Sequence, residues 1–527
     1  VNHDVLNQPS PLADIDLFAT DRALKEAVVR ECGAWAAESL GAYGRALGSA
    51  EALDWGVVAN ANPPVLHTHD RYGHRRDEVE FHPAWHHLMR LAIRHSVHSS
   101  PWADPKPGAH AARAAAAMLA SECEAGHVCP VSMTYSSMPV IRRDADLARE
   151  WEPRLYSTRY DPSFQPAAAK TGALVGMAMT EKQGGSDVRA NTTRAEPIGN
   201  GEYILNGHKW FCSAPMSDAF LVLAQAPAGL SCFFLPRWTA DGKKNAFHLQ
   251  RLKAKLGNRS NASSEVEFHG AWARRVGEEG RGVATIIEMV HHTRLDCVIG
   301  ATGLMRRALI EAVHHCRHRR AFGRALIDQP LMQNVLADLT IESEAATVLM
   351  MRLARAMDEG DRTFGRLAVA AGKYWVSKRT PNHVAEALEC LGGNGFVEES
   401  AMPRLYREAP LNSVWEGSGN VIALDVLRAI KKEPEALDRV MAEIRLAHDA
   451  RIERFVGSMG GEVAEQEARR FTERIAVALQ ASLLVRFSPA AVADAFCASR
   501  LEGDGGRAIG TLPAGVDLSS CLRMAVL

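Results

Sequence analysis

The 527-residue sequence predicts an α+β protein, mainly α, in which an N-terminal helical domain, a central β domain, a helical bundle and an extra helical appendage follow in order. Three changes of texture lead there. Up to about residue 171, apolar residues recur at helical spacing in Ala-rich stretches. From Gly172 to about 281, short runs rich in Val, Ile, Phe, Tyr and Leu are cut by Gly, Asn, Pro and Asp. After Gly282 long helical periods return. The domain boundaries expected are 1–171, 172–281, 282–433 and 434–527.

In chain order, Arg22–Gly44 and Pro107–Gly126 read as helices, with Pro63–Pro64 and Tyr72–His74 marking a loop between them. Ala173–Met179, Tyr203–Phe211, Ala219–Ala226, Ser231–Leu235 and Ser264–Phe268 read as strands, and Gly199–Gly201 and Ala240–Gly242 as turns. Val283–Arg320, Pro330–Asp358 and Gly365–Leu391 are each long enough for a bundle helix, with breaks at Arg319–Gly323 and Gly392–Gly395. A fourth bundle helix follows Gly419, and the appendage from Pro434 ends in a looser tail around Gly503–Gly515.

Composition narrows the function classes. With 47% hydrophobic and 23% charged residues the chain is globular, and a formal charge of −1 excludes nucleic-acid or membrane binding by bulk charge. No apolar run reaches the roughly 18–20 residues of a membrane span, and the opening residues lack a basic-then-apolar leader, so the expectation is a cytoplasmic protein. The ten cysteines contain no C-x-x-C pair and read as buried small hydrophobes. His314 and His318 are four apart, and His86–His87 and His291–His292 adjoin, but without a matching carboxylate no metal site is expected.

Three stretches carry chemistry. Met177–Asp187 is a strand ending in a threonine, then a turn with two glycines, a serine and an aspartate. Such a turn brings backbone and hydroxyls close to a ligand, or is simply a well-capped connection. Asn206–Ser213 reads as a hairpin turn leading into an aromatic-rich core strand. In Ser413–Asn420 one carboxylate, Glu416, lies between Trp415 and Gly417. Desolvation beside an aromatic suits a proton-abstracting glutamate, while the alternative is a helix N-terminus capped by Ser418 or Asn420.

Taken in order, T-E-x-x-x-G-S-D, N-G-x-K, Leu256–Ser260 (L-G-N-R-S), Arg319–Gly323 (R-x-x-F-G), Leu391–Gly395 (L-G-G-x-G) and W-E-G-S-G-N resemble the acyl-CoA dehydrogenase superfamily across about Gly172–Ile430. Asn7-Gln-Pro, Phe81–Trp85, Met179–Ser186, Asn258–Ala262 and the appendage resemble its AidB branch, flavoproteins of the bacterial adaptive response to DNA alkylation. The resemblance implies FAD held between the β domain and the bundle, with neighbouring subunits of a homotetramer sharing it. Met177, Met179, Thr180, Gly185 and Ser186 match the segment along the flavin ring and pyrophosphate. Phe211, Cys212 and Ser213 match the second flavin-contact strand. Arg319, Phe322, Gly392 and Gly393 match the contacts to the adenosine half of a neighbour's FAD, and Trp415, Ser418 and Asn420 match further cofactor positions.

Glu416 matches the catalytic base, which takes the α-proton of an acyl-CoA while flavin N5 takes the β-hydride. The backbone N–H of the same glutamate polarises the thioester carbonyl. Arg294 matches a substrate-side position, although its helix reads His291-His-Thr-Arg294, without the family's CoA-side carboxylate. Thr293 stands where isovaleryl-type relatives place their base, and Glu389 stands where a glutamine is usual. The function implied is binding of double-stranded DNA and its protection from alkylation, with feeble isovaleryl-type dehydrogenase activity. A metabolic short- or branched-chain acyl-CoA dehydrogenase is the alternative. Residues 435–527 hold 11 arginines, no lysine and 13 acidic residues, so a DNA face must be a local patch. The basic run Arg428, Lys431 and Lys432 is the expected centre of it.

Overall fold

The structure, a computed structural model, describes residues 3–525. The chain forms two compact units. One comprises the residues up to Leu53, Lys106–Cys123 and everything from Arg294 onward; the other comprises Asp54–Pro105 and Glu124–Thr293. Among the described residues no helix is long and apolar enough to cross a membrane.

The second unit holds the β domain. Val175–Ala178 runs parallel to Ala219–Ala226, which pairs antiparallel with Gly229–Pro236. That strand joins the end of Ser263–Val276, which pairs with both Glu202–Ser213 and Phe247–Leu252. Arg194–Gly199 completes the circuit between Glu202–Ser213 and Ala219–Ala226. The closed pairing encloses a core of Phe220, Phe233, Phe247, Phe268, Tyr203 and Val222. Glu202–Ser213 and Ser263–Val276 alternate buried and more exposed positions over much of their length, the period that a half-buried sheet imposes, whereas Ala219–Ala226 and Gly229–Pro236 are buried on both faces. The expected strands are all present: Ala219–Ala226 keeps its limits, Ala173–Met179 shortens to Val175–Ala178, and the other three are longer, Ser264–Phe268 most of all as Ser263–Val276.

Two local expectations are corrected. The segment read as a loop around Tyr72–His74 is the turn of an antiparallel hairpin, Val65–His69 against Arg75–Glu80. Asp70 builds that turn by accepting from the amides of Tyr72 and His74 at 2.8 and 2.9 Å. The hairpin docks on the β domain through Asp77, which accepts from the Leu249 amide at 2.9 Å. Its strands are too polar to announce themselves, and tertiary pairing decides them. Asn206–Gly207 is not a hairpin turn: it lies inside the strand Glu202–Ser213, at an irregularity opposite Ser263–Val276. The reversal falls earlier, at Asn200, whose φ is 53°.

The first unit is helical. Its long members are the helix ending at His318 (begun at Gly282), Pro330–Asp358, Arg362–Cys390 and Gly419–Lys432. The stretch expected as one helix from Arg22 is two, Arg22–Glu31 and Trp35–Gly48. Side chains cap the starts: Asp21 accepts from the Leu24 amide and Asp361 from the Phe364 amide, both at 3.0 Å. Where Ala109–Cys123 meets the long helix, a Cβ on Gly303 would stand 2.7 Å from the Met118 carbonyl oxygen, so only glycine permits this approach. Of the appendage helices, Ala468–Phe487 packs on Pro330–Asp358 and Arg362–Cys390. Buried Glu443, on Pro434–Arg445, receives Arg352 of the bundle and Arg486 of the appendage.

Candidate functional site

In the β unit, the strand Val175–Ala178 runs into the turn that carries Met179, Thr180, Gly185 and Ser186. The anchor of this turn is a pair that the quoted motifs contain without any assigned role, Glu181 and Lys209. Both are buried, Lys209 Nζ lies 2.9 Å from Glu181 Oε1, and the same ammonium donates to the Leu223 carbonyl at 2.7 Å. Glu181 also accepts from the Thr192 amide at 2.6 Å and the Thr193 amide at 3.2 Å. Burial alone would raise its pKa, but the Lys209 charge and these donors outweigh that and hold it at about 2. Asn191 ties the Met179 carbonyl at 3.0 Å. At Gly185 a Cβ would meet the Thr180 hydroxyl at 2.4 Å, so the turn closes over its own threonine.

The neighbouring strand presents Phe211, 53% exposed, followed by fully buried Cys212 and half-buried Ser213. Lys253 lies 3.8 Å from the Trp210 ring centroid and 4.5 Å from that of Phe211. An open aromatic ring and accessible hydroxyls at Thr180, Ser186 and Ser213 are what a flat, hydrogen-bonding heteroaromatic such as a flavin requires. On this test the β unit's residues fit the cofactor.

In the helical unit, Asn7 and Gln8 bring Arg319, Phe322 and the Gly392–Gly393 turn together. Arg319 donates to the Asn7 carbonyl at 2.7 Å, and Asn394 donates to Gln8 Oε1 at 2.7 Å. Phe322 is 96% exposed, and a Cβ at Gly392 or Gly393 would meet nothing within 4 Å, so these groups form an open surface. Gln329 precedes the helix Pro330–Asp358 and donates to the Ala321 carbonyl at 3.1 Å, bracing the same turn.

Glu416 occupies a left-handed conformation, φ 57°, rare for a residue with a Cβ and worth about 1–3 kcal/mol of strain. Three successive carbonyls around it accept from cations. Lys373 Nζ donates to the Trp415 oxygen at 2.9 Å and also to the Gly417 oxygen, and Arg294 Nε donates to the Glu416 oxygen at 3.2 Å. Arg294 is held in turn by Asp425 at 2.7 Å, and Asp425 takes Arg366 as well. Burial would raise the Asp425 pKa, but the two guanidinium groups lower it, so the carboxylate stays ionised between them. Arg294, expected on the substrate side, is thus committed to the backbone of the glutamate and to Asp425. Trp415 Nε1 donates to Asn412 at 3.0 Å.

Ser418 stands at the N-cap position of Gly419–Lys432 but makes no side-chain cap bond. Asn420 meets Arg469 of the appendage at 3.5 Å. Thr293, which lies in the β unit, donates to the Val290 carbonyl within its own helix at 3.1 Å. Arg428, Lys431 and Lys432 are exposed at the other end of Gly419–Lys432, and none of them forms an ion pair among the described residues. Of the groups that build these sites, Lys373, Asp425, Arg366 and Lys209 were not foreseen. Lys373 left one trace in the sequence, a lone cation in the apolar helical run Leu367–Val376.

Known proteins place this architecture. The N-terminal domain of the adaptive response protein AidB matches residues 7–162, the acyl-CoA dehydrogenase middle domain 176–271 and the acyl-CoA dehydrogenase C-terminal domain 280–431. AidB of Escherichia coli (strain K12) is 45% identical over 96% of this chain and 95% of its own. Acyl-CoA dehydrogenase family member 11 of Caenorhabditis elegans is 30% identical over 83% of this chain and 72% of its own. The crystal structure of Caenorhabditis elegans ACDH-11 in complex with C11-CoA superposes with a TM-score of 0.84 at 25% identity, covering 100% of this chain and 93% of that one. With the ordered motifs, the β barrel followed by the bundle, and near full-length similarity, the chain belongs to the acyl-CoA dehydrogenase family, in its AidB branch.

Proposed function

We propose that this chain is an AidB-type FAD flavoprotein that binds double-stranded DNA and protects it from alkylation, and that keeps a weak acyl-CoA dehydrogenase chemistry centred on Glu416. The observation that carries the dehydrogenase half of the reading is the Glu416 turn: a carboxylate on a strained backbone, with all three flanking carbonyls engaged by buried or half-buried cations. Strain of this kind persists only where surrounding structure enforces it, and it accumulates at sites that do chemistry.

In the β unit, Met177, Met179, Thr180, Gly185, Ser186, Phe211, Cys212 and Ser213 would hold the flavin. In the helical unit, Trp415, Ser418 and Asn420 would add contacts, and Arg319, Phe322, Gly392 and Gly393 would meet the adenosine half within a homotetramer. FAD, when bound, supplies the hydride-accepting chemistry. Glu416 would take the α-proton of an acyl-CoA thioester, and its own backbone N–H would donate to the thioester oxygen as negative charge builds there. The Lys209–Glu181 pair keeps the flavin-side turn in shape by satisfying two buried charges at once. The DNA half of the reading is supported by the similarity to AidB and by the exposed, unpaired cations Arg428, Lys431 and Lys432.

A metabolic acyl-CoA dehydrogenase is the second reading, favoured by the same intact Glu416 turn. One experiment separates them. The FAD-loaded protein and Glu416→Gln are assayed with isovaleryl-CoA and, in parallel, titrated with duplex DNA over a range of salt. The proposal expects turnover to fall by about 10²–10⁴-fold in Glu416→Gln while duplex affinity and its salt slope stay as they were. Fast turnover by the parent protein together with no salt-dependent duplex binding would replace it with the metabolic reading.

A further inference from the structure

We infer that Lys373 is a positioning residue for thioester polarisation, holding the Trp415–Glu416 peptide so that its N–H points away from the ammonium as a strengthened hydrogen-bond donor. The inference deepens the dehydrogenase reading above and rests on it. In a trans peptide the C=O and N–H of one plane point in opposite directions, and the chain has no cis bond among its described residues. The Trp415 carbonyl and the Glu416 N–H share a plane. Lys373 Nζ, 2.9 Å from the Trp415 oxygen, therefore fixes the direction of the Glu416 N–H as directly as it fixes the carbonyl.

Position is half of the effect and polarisation the other half. A cation on a peptide oxygen draws electron density through the amide and makes its N–H a stronger donor, and a low-dielectric setting amplifies this. Lys373 is 1% exposed, so its ammonium is not screened by water. It is also shared: a second bond reaches the Gly417 carbonyl, so one ammonium bridges the peptides on both sides of Glu416. Arg294 takes the carbonyl between them. The two cations come from different helices, Arg362–Cys390 and the helix ending at His318, and the turn has little freedom to relax its left-handed residue.

The acceptors that Lys373 takes are the two carbonyls flanking Glu416. A buried ammonium needs partners, but a carboxylate would satisfy it better than two carbonyls of a strained turn. Aspartates are at hand in the same unit, since Asp425 serves the adjacent Arg294 and Arg366. Lys373 instead spends its donors on the backbone that presents Glu416.

The test uses the FAD-loaded full-length protein, isovaleryl-CoA labelled with ¹³C at the thioester carbonyl, and isotope-edited infrared spectroscopy beside steady-state kinetics. In the parent protein the bound carbonyl stretch should lie below its value in water. In Lys373→Met it should move back toward the free value, and kcat should fall by about 10- to 100-fold with KM nearly unchanged. Lys373→Arg, which keeps a cation, should recover part of both. Glu416→Gln should lose turnover yet keep the lowered carbonyl frequency, because its backbone N–H is intact. If Glu416→Gln retains turnover, the dehydrogenase reading fails, and the infrared shift in Lys373→Met still decides the role of Lys373.

Two further measurements remove loopholes. If Lys373→Met does not give folded holoprotein, Lys373→Gln, a neutral donor one atom shorter, takes its place in both readouts. Amide hydrogen exchange across 416–418 in the substrate-free protein should speed up in the neutral variant while the rest of the chain is unchanged. An unchanged carbonyl frequency and kcat, or unchanged exchange across that turn, would overturn the inference.

Discussion

Replacing Glu443 with glutamine should loosen the appendage from the bundle, and the size of the effect follows from the geometry. Glu443 is 3% exposed and accepts from Arg352 at 3.1 and 2.9 Å, from Arg486 at 2.8 Å and from Arg439 at 3.2 Å. Burial by itself would raise the carboxyl pKa, yet the bonds from Arg352 and Arg486 hold it at about 2. Against an ordinary value near 4.5, that difference corresponds to about 3 kcal/mol of folding free energy at neutral pH. Loss of one partner from a buried ion pair gives about 3–5 kcal/mol by an independent route, so the two agree. Urea unfolding followed by fluorescence should therefore place Glu443→Gln about 3 kcal/mol below the parent at pH 7. The folded pKa is depressed, so the stabilisation is complete above the unfolded pKa and fades as the pH falls toward 2. The gap should narrow by about 1.4 kcal/mol between pH 7 and pH 3.5. A variant within 1 kcal/mol of the parent at pH 7, or a gap that does not change with pH, would refute the reasoning.

Lys209→Met should release FAD, read as a lowered flavin-to-protein absorbance ratio, because the buried Glu181 carboxylate loses its counter-charge and the turn from Met179 to Ser186 loses its anchor. The stability loss should be about 3–5 kcal/mol by thermal or urea unfolding. Gly303→Val should destabilise the helical unit by about 1–3 kcal/mol, since its side chain must displace the Met118 carbonyl; an unchanged unfolding midpoint would mean the helices separate freely there. Arg428→Ala should weaken duplex binding similarly for different DNA sequences and reduce the salt slope by about one, with the flavin spectrum unaltered. Equal affinity and slope in parent and variant would remove Arg428 from the DNA face.

The order of helical and β segments was legible because periodicity depends on local burial, and the long segments here bury one face consistently. Strands such as Ala219–Ala226 and helices such as Pro330–Asp358 match their expected limits. The segments that escaped are those whose structure is lent by neighbours. Arg75–Glu80 is almost wholly charged and is a strand because Val65–His69 and Phe247–Leu252 supply its pairing and docking. Asn206–Gly207 has the composition of a turn, but the long partner strand Ser263–Val276 carries it through as an irregular strand.

The sites divide along the same line. The motifs, through the family resemblance they carry, named the groups proposed to meet a ligand: Glu416 for proton transfer, Phe211 and the hydroxyls of Thr180 and Ser186 for a flavin, glycines at 392 and 393 for close approach. Tertiary structure decided what holds those groups in place. Lys373 lies 43 residues before Glu416 and Arg294 lies 122 before it, and neither separation carries any periodic signal. Lys209 reaches Glu181 across two strands, and Glu443 joins arginines from two other helices. A buried charge is satisfied by whichever opposite charge or carbonyl the packed fold brings within about 3 Å, and that proximity is a property of the three-dimensional arrangement rather than of spacing along the chain.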